Sequence, residues 1–367
     1  MDDSSSVQDA SYINDIRHAS EFKGVTFSKY KKTEVRHAFL DNLLKGKIEP
    51  TCYWCTELLC AGHFMDVWEL LLYFVGKHIH LGNPKLAVYL DSRYTIFRNI
   101  MENALYTHEL QLRNNATMRQ LFAEIVSIVA LSPRKHSLET LNLPDIEAFD
   151  LNNQSDKLKV PDTTLIEEIF LKEDPKELFI AINELAFQLT QNGGNIMACY
   201  WIEWLVKFDA YCRKKDEPCL CERRAKIPVS ASLQKDAVWM VWEVLTKEAG
   251  RRGAFVTRAV EALQNLFCIK YTWASCRKRK YLLYFAVGLL TEHVPMHVPM
   301  VSNKTVVDMC VSQINEIYRE VKENEDSPDT NYLFDNQFME RDSGNMEKSL
   351  RKLEMLQGMY PKRMDEV

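Results

Sequence analysis

The sequence reads Cys-Tyr-Trp at residues 52–54 and Val-Trp-Glu-Leu-Leu at residues 67–71, and both runs return later in the chain. Cys-Tyr-Trp recurs at residues 199–201, and Val-Trp-Glu-Val-Leu follows at residues 241–245. Landmarks rich in tryptophan that return in the same order indicate an internal duplication. Because the tryptophans stand at spacings typical of buried helix faces, the repeat predicts two related helical halves.

Composition predicts an all-α fold. The chain has 367 residues, of which 46% are hydrophobic, and only 12 are Gly and 12 are Pro. So few turn residues argue against an all-β protein, and strand patterns are nearly absent. Because hydrophobic cores stop growing at about 250–300 residues, a chain of this length is expected to have two. We therefore predict an all-α protein with two related multi-helix bundle halves.

Local signals set several helix boundaries. A first helix is predicted to start at Thr33 and to end at Gly46, which suits a C-terminal cap. Asn83-Pro84 and Asp174-Pro175 each have the pattern of a helix cap followed by a first-turn proline. Helical patterns also predict a helix from Asn115 to Leu131, a short one over residues 162–172 and a long one from Asn303 to Asn324.

Prolines and polar runs divide the chain into five predicted parts. These are an N-terminal arm (1–32), a first helical half (33–132), a linker (133–161), a second helical half (162–300) and a C-terminal region of helices and acidic tail (301–367). The second half carries an insertion at about 206–232, because its two landmark tryptophans lie 27 residues further apart than those of the first half. A last amphipathic helix is predicted over residues 345–358.

Positive charge is concentrated in the second half. The net charge is −5, yet residues 207–280 hold 17 Lys and Arg against 8 Asp and Glu. This surplus predicts contact with an acidic partner, and a solvated helix face is the alternative. The candidate interaction residues are Lys214, Lys215, Arg223, Arg224, Arg277, Lys278, Arg279 and Lys280. Tyr271, Trp273 and Tyr281 lie near the basic run at residues 277–280. This combination suits nucleic-acid binding, in which the cations contact phosphates and the aromatic rings stack on bases.

Cys212, Cys219 and Cys221 are candidate metal ligands in the basic insertion. Closely spaced thiols beside Lys and Arg lose their protons readily, and a structural zinc ion takes four such ligands. The fourth ligand would have to come from elsewhere, with Cys268, Cys276 or a histidine as candidates. A disulfide and free thiols are the alternatives.

Two shorter motifs have structural interpretations. Cys52 and Cys55 form a Cys-x-x-Cys pair on a predicted helix, where small buried side chains fit better than a redox site. His78 and His80 stand at a predicted helix C-terminus, where capping explains them more simply than a ligand pair does.

The motifs of common enzymes are missing. The sequence contains no Walker A loop, no dinucleotide-binding glycine pattern, no HExxH and no nucleophile elbow. The N-terminal residues lack the pattern of a secretory signal, and the most apolar windows are shorter than the roughly 20 residues of a membrane span. We therefore predict a non-enzymatic protein without cofactors, apart from the possible zinc ion, and without a transmembrane segment.

Several segments resemble a protein shared by nucleocytoplasmic large DNA viruses of algae and protists. They include Phe22-Lys23-Gly24, Gly62-His63-Phe64, Lys77-His78-Ile79-His80, Asp174-Pro175-Lys176-Glu177 and Cys199-Tyr200-Trp201-Ile202-Glu203-Trp204, and they extend over about residues 20–300. The resemblance supplies no catalytic residues. It implies an internal minor capsid protein in the virion, assembled in the host cytoplasm, with other capsid proteins including the major capsid protein as partners.

A more local resemblance is to the helical collar domain of clamp-loader-like AAA+ ATPases. It rests on Tyr53-Trp54, Gly62 and Gly82-Asn83-Pro84, within about 45 residues. It implies an oligomerising helical collar, and hence a possible homo-oligomer, without ATP hydrolysis.

Together these observations predict a structural or interaction protein that links neighbouring capsid assemblies. The alternative is a nucleic-acid-associated accessory factor of viral replication or transcription that uses the basic residues of the second half. A thiol oxidoreductase based on Cys52 and Cys55 is the remaining possibility.

Overall fold

The computed structural model describes residues 10–103, 109–141, 143, 155–191 and 193–326, and most of these residues lie in helices. The α-helices are α1 (Lys32–Lys45), α2 (Ile48–Cys60), α3 (Phe64–Phe74), α4 (Leu86–Asn103), α5 (Ala116–Leu131), α6 (Phe179–Thr190), α7 (Asn195–Lys214), α8 (Val238–Ala249), α9 (Ala254–Cys268), α10 (Trp273–Thr291) and α11 (Lys304–Lys322). No strand longer than a single bridge occurs among these residues. The predicted all-α class is therefore confirmed.

Local capping chemistry explains where several helices begin and end. Gly46 ends α1 with φ 67° and ψ 25°, the left-handed conformation that glycine adopts without steric cost. Asn115 caps α5, because its side chain accepts the N–H of Met118 at 2.9 Å. Asn303 caps α11 in the same way. These boundaries agree with the sequence-based expectations.

Three predicted helix starts are wrong, because the side chains expected to cap them bond to other groups. Asp162 accepts the backbone N–H and the hydroxyl of Thr164, at 3.0 and 2.7 Å, and this local turn replaces the predicted helix over 162–172. Asp174 pairs with Arg224 instead of capping a helix. Asn83 donates its amide to Ser132 Oγ and to the carbonyl of Met300, so α4 starts only at Leu86.

Helix α10 lies at the centre of the fold. Every residue from 281 to 290 is buried. On its second-half side α10 packs against α7, α8 and α9, and on its first-half side it packs against α3 and the turn that follows α3. Helix α4 also packs against α9, and the buried apolar side chains of both halves form one continuous cluster. The two halves thus share a core, contrary to the expectation of two.

The repeated landmarks have partly equivalent surroundings. Trp68 and Trp242 are both fully buried, and each meets phenylalanine rings at steep angles. Helix α1 packs on α2, and α2 on α5; in the same order, α6 packs on α7, and α7 on α10. This agreement is compatible with a duplication, which stays a prediction.

The described part of the predicted arm is packed against the first half. Phe22 and Phe27 are buried, and Arg17 donates to the carbonyl of Phe27 at 2.8 Å. Arg119 on α5 fixes both ends of the described chain, because it donates to the hydroxyl of Ser11 at 2.8 Å and lies 3.9 Å from the ring centroid of Tyr318 on α11. Helix α11 therefore covers α5 and α2 rather than forming an appendage.

A second, small unit consists of Asn14–Ile16 and Asp326–Val367, and of this unit residues 14–16 and 326 are described. Within it, Ile16 donates its N–H to the carbonyl of Asp326 at 3.1 Å, and Asp326 donates its own to Asp15. Three parts of the predicted organisation lie outside the described residues. They are the first nine residues, residues 142 and 144–154 of the linker, and the acidic tail with its predicted helix at 345–358.

A glycine allows the two halves to approach closely. A Cβ atom on Gly76 would lie 2.9 Å from the carbonyl carbon of Tyr281, so the backbones would have to separate. We expect Gly76→Ala to lower the free energy of unfolding by about 1–3 kcal/mol, measured by urea denaturation. Gly250→Ala is the matched control, because Gly250 has φ −56° and its nearest neighbour would be 3.4 Å away. Equal stability of the two variants would contradict the close packing.

Candidate functional site

Arg224, one of the candidate interaction residues, is internal. Its side chain is 2% exposed and forms a two-pronged ion pair with Asp174, whose side chain is 0% exposed. Its guanidinium also donates to Glu243 at 3.1 Å and to the carbonyl of Ile169 at 3.0 Å. Arg224 therefore fastens the insertion to the segment before α6 and offers no charge to a partner, which corrects the sequence-based expectation.

Arg279 and Lys280 are also used inside the chain. Arg279 bonds both carboxylate oxygens of Glu69 on α3 and donates to the carbonyl of Phe267 at 2.6 Å. Lys280 donates to Glu203 on α7 at 2.5 Å. The basic run at 277–280 falls in the second turn of α10, and its last two members join that helix to its neighbours.

The charge surplus predicts an acidic partner, and part of that surplus pairs with carboxylates elsewhere in the same chain. Five cations of residues 207–280 pair with carboxylates that lie outside this range. The pairs are Arg224–Asp174, Lys280–Glu203, Arg279–Glu69, Lys247–Glu168 and Lys270–Glu109. Sequence reasoning missed this use, because the partners are far apart in the chain.

Five candidate interaction residues remain at the surface. They are Lys214, Lys215, Arg223, Arg277 and Lys278. The guanidinium carbons of Arg213 and Arg277 lie 5.1 and 5.4 Å from the ring centroid of the half-buried Trp273. Arg277 therefore stands beside the C-terminal end of α7, which carries Lys214 and Lys215, and the three form a basic surface around Trp273.

Beneath this surface lies a buried network of two carboxylates. Arg213 donates to Asp209 at 2.9 Å and to Asp236 at 2.7 Å, and Tyr271 donates its hydroxyl to Asp236 at 2.9 Å. Burial raises the pKa of Asp236, and Arg213 opposes that shift. Since one guanidinium bridges both carboxylates, the network holds α7, the insertion and the start of α10 together.

The three cysteines of the insertion do not converge with a fourth ligand. Cys219 and Cys221 are buried, and the sulfur of Cys221 lies 3.3 Å from that of Met240. Burial raises the pKa of both thiols, which opposes the thiolate form that zinc requires. Within the described residues no group of three or more potential ligands is placed to hold a metal ion. All ten cysteines are free thiols.

Cys52 and Cys55 are each 3% exposed on α2, as expected for small buried side chains. Burial raises the pKa of Cys52 to about 12. A thiol with so high a pKa is a poor nucleophile at neutral pH, which disfavours a redox site at this pair.

A cleft of about 250 Å³ opens between α6, α8 and residues 164–169. Its lining mixes apolar and polar side chains, and its charged members include Glu168, Lys247, Glu248 and Arg251. These charges satisfy each other, since Lys247 pairs with Glu168 at 2.8 Å and Arg251 with Glu248 at 3.1 Å. The cleft therefore presents little unsatisfied charge to a ligand.

The first Tyr-Trp landmark lies at the surface, whereas the second is buried. Tyr30 is 45% exposed, and its ring meets that of Trp54 edge-on at 5.6 Å; Tyr53 meets Trp54 at 5.1 Å. Trp201, the equivalent of Trp54, has an exposure of 0%. The first half therefore presents an aromatic cluster of Tyr30, Tyr53 and Trp54 that the fold of its counterpart encloses.

An irregular turn follows α3 and adjoins the segment after α5. The chain continues from α3 as a π-helix over Val75–Ile79 and ends at His80, whose φ of 33° and ψ of −111° are strained for a residue other than glycine. The carbonyls of Lys77 and His78 accept the N–H groups of Leu138 and Lys135, at 2.8 and 3.1 Å. Residues 135–138 thus form a strap that satisfies the open end of this helix.

Two histidine contacts fasten the strap. His78 Nδ1 and the hydroxyl of the exposed Ser137 lie 2.7 Å apart, and His80 Nε2 donates to the carbonyl of His136 at 2.8 Å. Burial, with Lys77, Arg134 and His80 nearby, lowers the pKa of His78 from 6.5 to about 4. His78 is therefore neutral at physiological pH. Apart from the position of both histidines at a helix end, no pattern in the sequence indicates these contacts with the strap.

In comparisons with known proteins, no family model, no curated protein and no solved structure matches the chain. The described helices include none that is long and apolar enough to cross a membrane.

Substitution of two adjacent arginines in the insertion tests how much the buried ion pair of Arg224 and Asp174 contributes to stability. Arg224→Met leaves Asp174 buried without its cation, so we expect the free energy of unfolding to fall by about 3–5 kcal/mol. Arg223→Met removes an exposed neighbour whose Nε donates to Gln234 Oε1 at 2.6 Å, and it should cost only about 1 kcal/mol. Urea denaturation followed by circular dichroism measures both. A similar small effect for both variants would show that the Asp174 pair contributes little.

The neutral His78 predicts a loss of stability in mild acid. Its pKa in the folded state is about 4, below the ordinary 6.5 that it regains on unfolding. The unfolded chain therefore takes up the proton first, so this contribution is present above pH 6.5 and is lost as the pH falls toward 4. We expect His78→Asn to flatten the fall in unfolding free energy across this window, and His37→Asn, an exposed control on α1, to leave it unchanged. Identical slopes for the wild type and His78→Asn would refute the assignment.

Proposed function

We propose that this protein is a structural interaction protein, and that it serves as an internal minor capsid protein of a large icosahedral DNA virus. Its partners in this proposal are the major capsid protein and other capsid proteins of the particle. The viral part of the proposal rests on the sequence resemblance, and the interaction part rests on the surface described above.

The observation that carries the interaction role is the aromatic cluster of Tyr30, Tyr53 and Trp54, in which Tyr30 is exposed and the other two rings are half-buried. Tyrosine and tryptophan dominate the binding energy of protein interfaces, because they bury large rigid surfaces with few rotatable bonds. The fold does not require a partly uncovered ring here, since Trp201 at the equivalent position of the second half is enclosed. A partner protein that covers Trp54 would bury this residue as completely as the second half buries Trp201.

The arrangement of charges supports a scaffold over an enzyme. Asp174, Glu203, Asp209 and Asp236 are buried carboxylates, and each bonds a cation of the same chain. Groups fixed in this way brace helices against each other. A stiff helical body with an aromatic docking surface is what a linker between larger assemblies needs.

A second candidate function is nucleic-acid association through the basic surface around Trp273. Lys214, Lys215, Arg277 and Lys278 are exposed, and a half-buried indole lies among them. Binding through phosphates would weaken steeply with salt, and Arg277→Gln combined with Lys278→Gln would weaken it further. Retention on DNA or RNA that ignores both changes would exclude this candidate.

Two measurements test the proposed function. Particles purified on density gradients should contain the chain at a fixed ratio to the major capsid protein. The purified chain should also bind the purified major capsid protein, and Trp54→Ala should weaken that binding by about 30-fold, the effect of losing a hot-spot residue worth about 2 kcal/mol.

Leu44→Ala is the matched control, because Leu44 is an apolar residue of α1 with the same 45% exposure as Tyr30. Tyr30→Ala is a second test variant that removes an exposed ring without opening the core. Circular dichroism should confirm that all three variants fold. A chain that is absent from particles, or an affinity that tolerates Trp54→Ala and Tyr30→Ala alike, would overturn the proposal.

A further inference from the structure

The strap of residues 135–138 contains a hydroxyl in an unusual setting. Ser137 is exposed, yet its oxygen lies 2.7 Å from the ring nitrogen of the buried His78. The strap belongs to residues 133–141, which adopt no helix or turn. Its neighbours along the chain, Leu138 and Lys135, are held by backbone bonds to the π-helix. The hydroxyl is thus presented at the surface from a fixed position.

Basic side chains lie near His78 and precede Ser137 in the chain. Lys77 and Arg134 are both near enough to His78 to lower its pKa. Lys135 stands two residues before Ser137 and pairs at 2.5 Å with Glu292, the residue that caps the end of α10. Arg134 stands three residues before Ser137 and donates to the carbonyl of Ala130 at 3.1 Å. The imidazole that contacts Ser137 therefore has basic side chains nearby, and two basic residues stand just before this serine in the chain.

A serine beside a histidine also suggests a nucleophile and its base, but the surroundings favour a different role. The cleft between α6 and α8 is lined by neither Ser137 nor His78. An imidazole with a pKa of about 4 is a weak base. A hydroxyl at the surface is accessible to another enzyme and is suited to being modified by it.

We propose that Ser137 is a phosphorylation site, and that His78 with its cationic neighbours binds the phosphate. In the reaction, the Ser137 hydroxyl oxygen attacks the γ-phosphorus of ATP in the active site of a protein kinase. The new oxygen–phosphorus bond forms as the bond to ADP breaks, and the hydroxyl proton passes to the catalytic aspartate of the kinase. Arg134 and Lys135 match kinases that read basic residues before the target serine.

The phosphate would change the electrostatics of the strap. A phosphoserine carries a charge of about −1.5 to −2 at neutral pH and accepts strong hydrogen bonds from cations. It favours the protonated form of His78, which opposes the effect of burial, Lys77, Arg134 and His80. It also competes with Glu292 for Lys135, a contact that joins the strap to α10. The modification would therefore act on the region where the two halves meet.

The experiment treats the folded full-length chain with the catalytic subunit of a kinase that reads basic residues and with MgATP. Tandem mass spectrometry should place phosphate on Ser137, with Thr140 and Ser155, which are also exposed, at background level. Ser137→Ala, which alters an exposed side chain, should abolish the modification without affecting the fold.

NMR titration then follows the His78 ring in both forms. We expect its pKa to rise by about one unit or more on phosphorylation, the size of effect produced by an opposite charge within a few ångströms. Ser137→Ala, which lacks the hydroxyl in contact with His78, should give the same His78 pKa before and after treatment with the kinase. Phosphate at other sites only, or phosphate on Ser137 that leaves the His78 titration unchanged, would overturn the proposal. The inference does not depend on the capsid role, since neither readout involves a partner protein.

Discussion

Helix α10 contains ten consecutive buried residues, 281–290, and a helix that is apolar all round needs neighbours on every side. The second half supplies only part of that cover, through α7, α8 and α9. The first half supplies the rest, with α3 and the π-helix, and the approach is close enough to require glycine at position 76. Because α10 has to be covered on every side, the two halves share one core, although the sequence suggests two separate cores.

The same demand explains how the charges are used. Packing around α10 buries Glu203 and Asp236 and half-buries Glu69, and an unpaired carboxylate is costly in such surroundings. Arg279, Lys280 and Arg213 supply the matching cations. Such pairs add little net stability over apolar side chains of the same size, but they tolerate few alternative arrangements. The basic surplus of the second half thus helps to define which helices become neighbours.

Features governed by local chemistry could be predicted from the sequence. Gly46, Asn115 and Asn303 act within one helical turn, so their effect depends only on nearby residues. Asp174 and Asn83 have equally good local patterns, but their partners, Arg224 and Met300, lie 50 and 217 residues away. These side chains bond to residues that are distant in the sequence instead of capping the nearby helix. A short stretch of sequence does not contain such a partner, so the change cannot be predicted from it.

The candidate sites follow the same division. Burial of Cys52 and Cys55 follows from helical spacing, whereas burial of Arg224 and Arg279 depends on tertiary neighbours. The contrast between Trp54 and Trp201 required the structure, because the two sequences around them read alike. The π-helix and the pairing of His78 with Ser137 had no recognisable local signal, since they arise where segments 59 residues apart meet.

The contacts of Arg119 have a consequence for synthesis. This one side chain bonds Ser11 near the start of the chain and Asn315 on α11, so the first half is complete only when both are present. A ribosome makes α11 last among the helices described, after the whole second half has emerged. Until α11 has been made, the surface of α2 and α5 that it covers is exposed to water. Exposed apolar surface of this kind is what chaperones bind on incomplete chains.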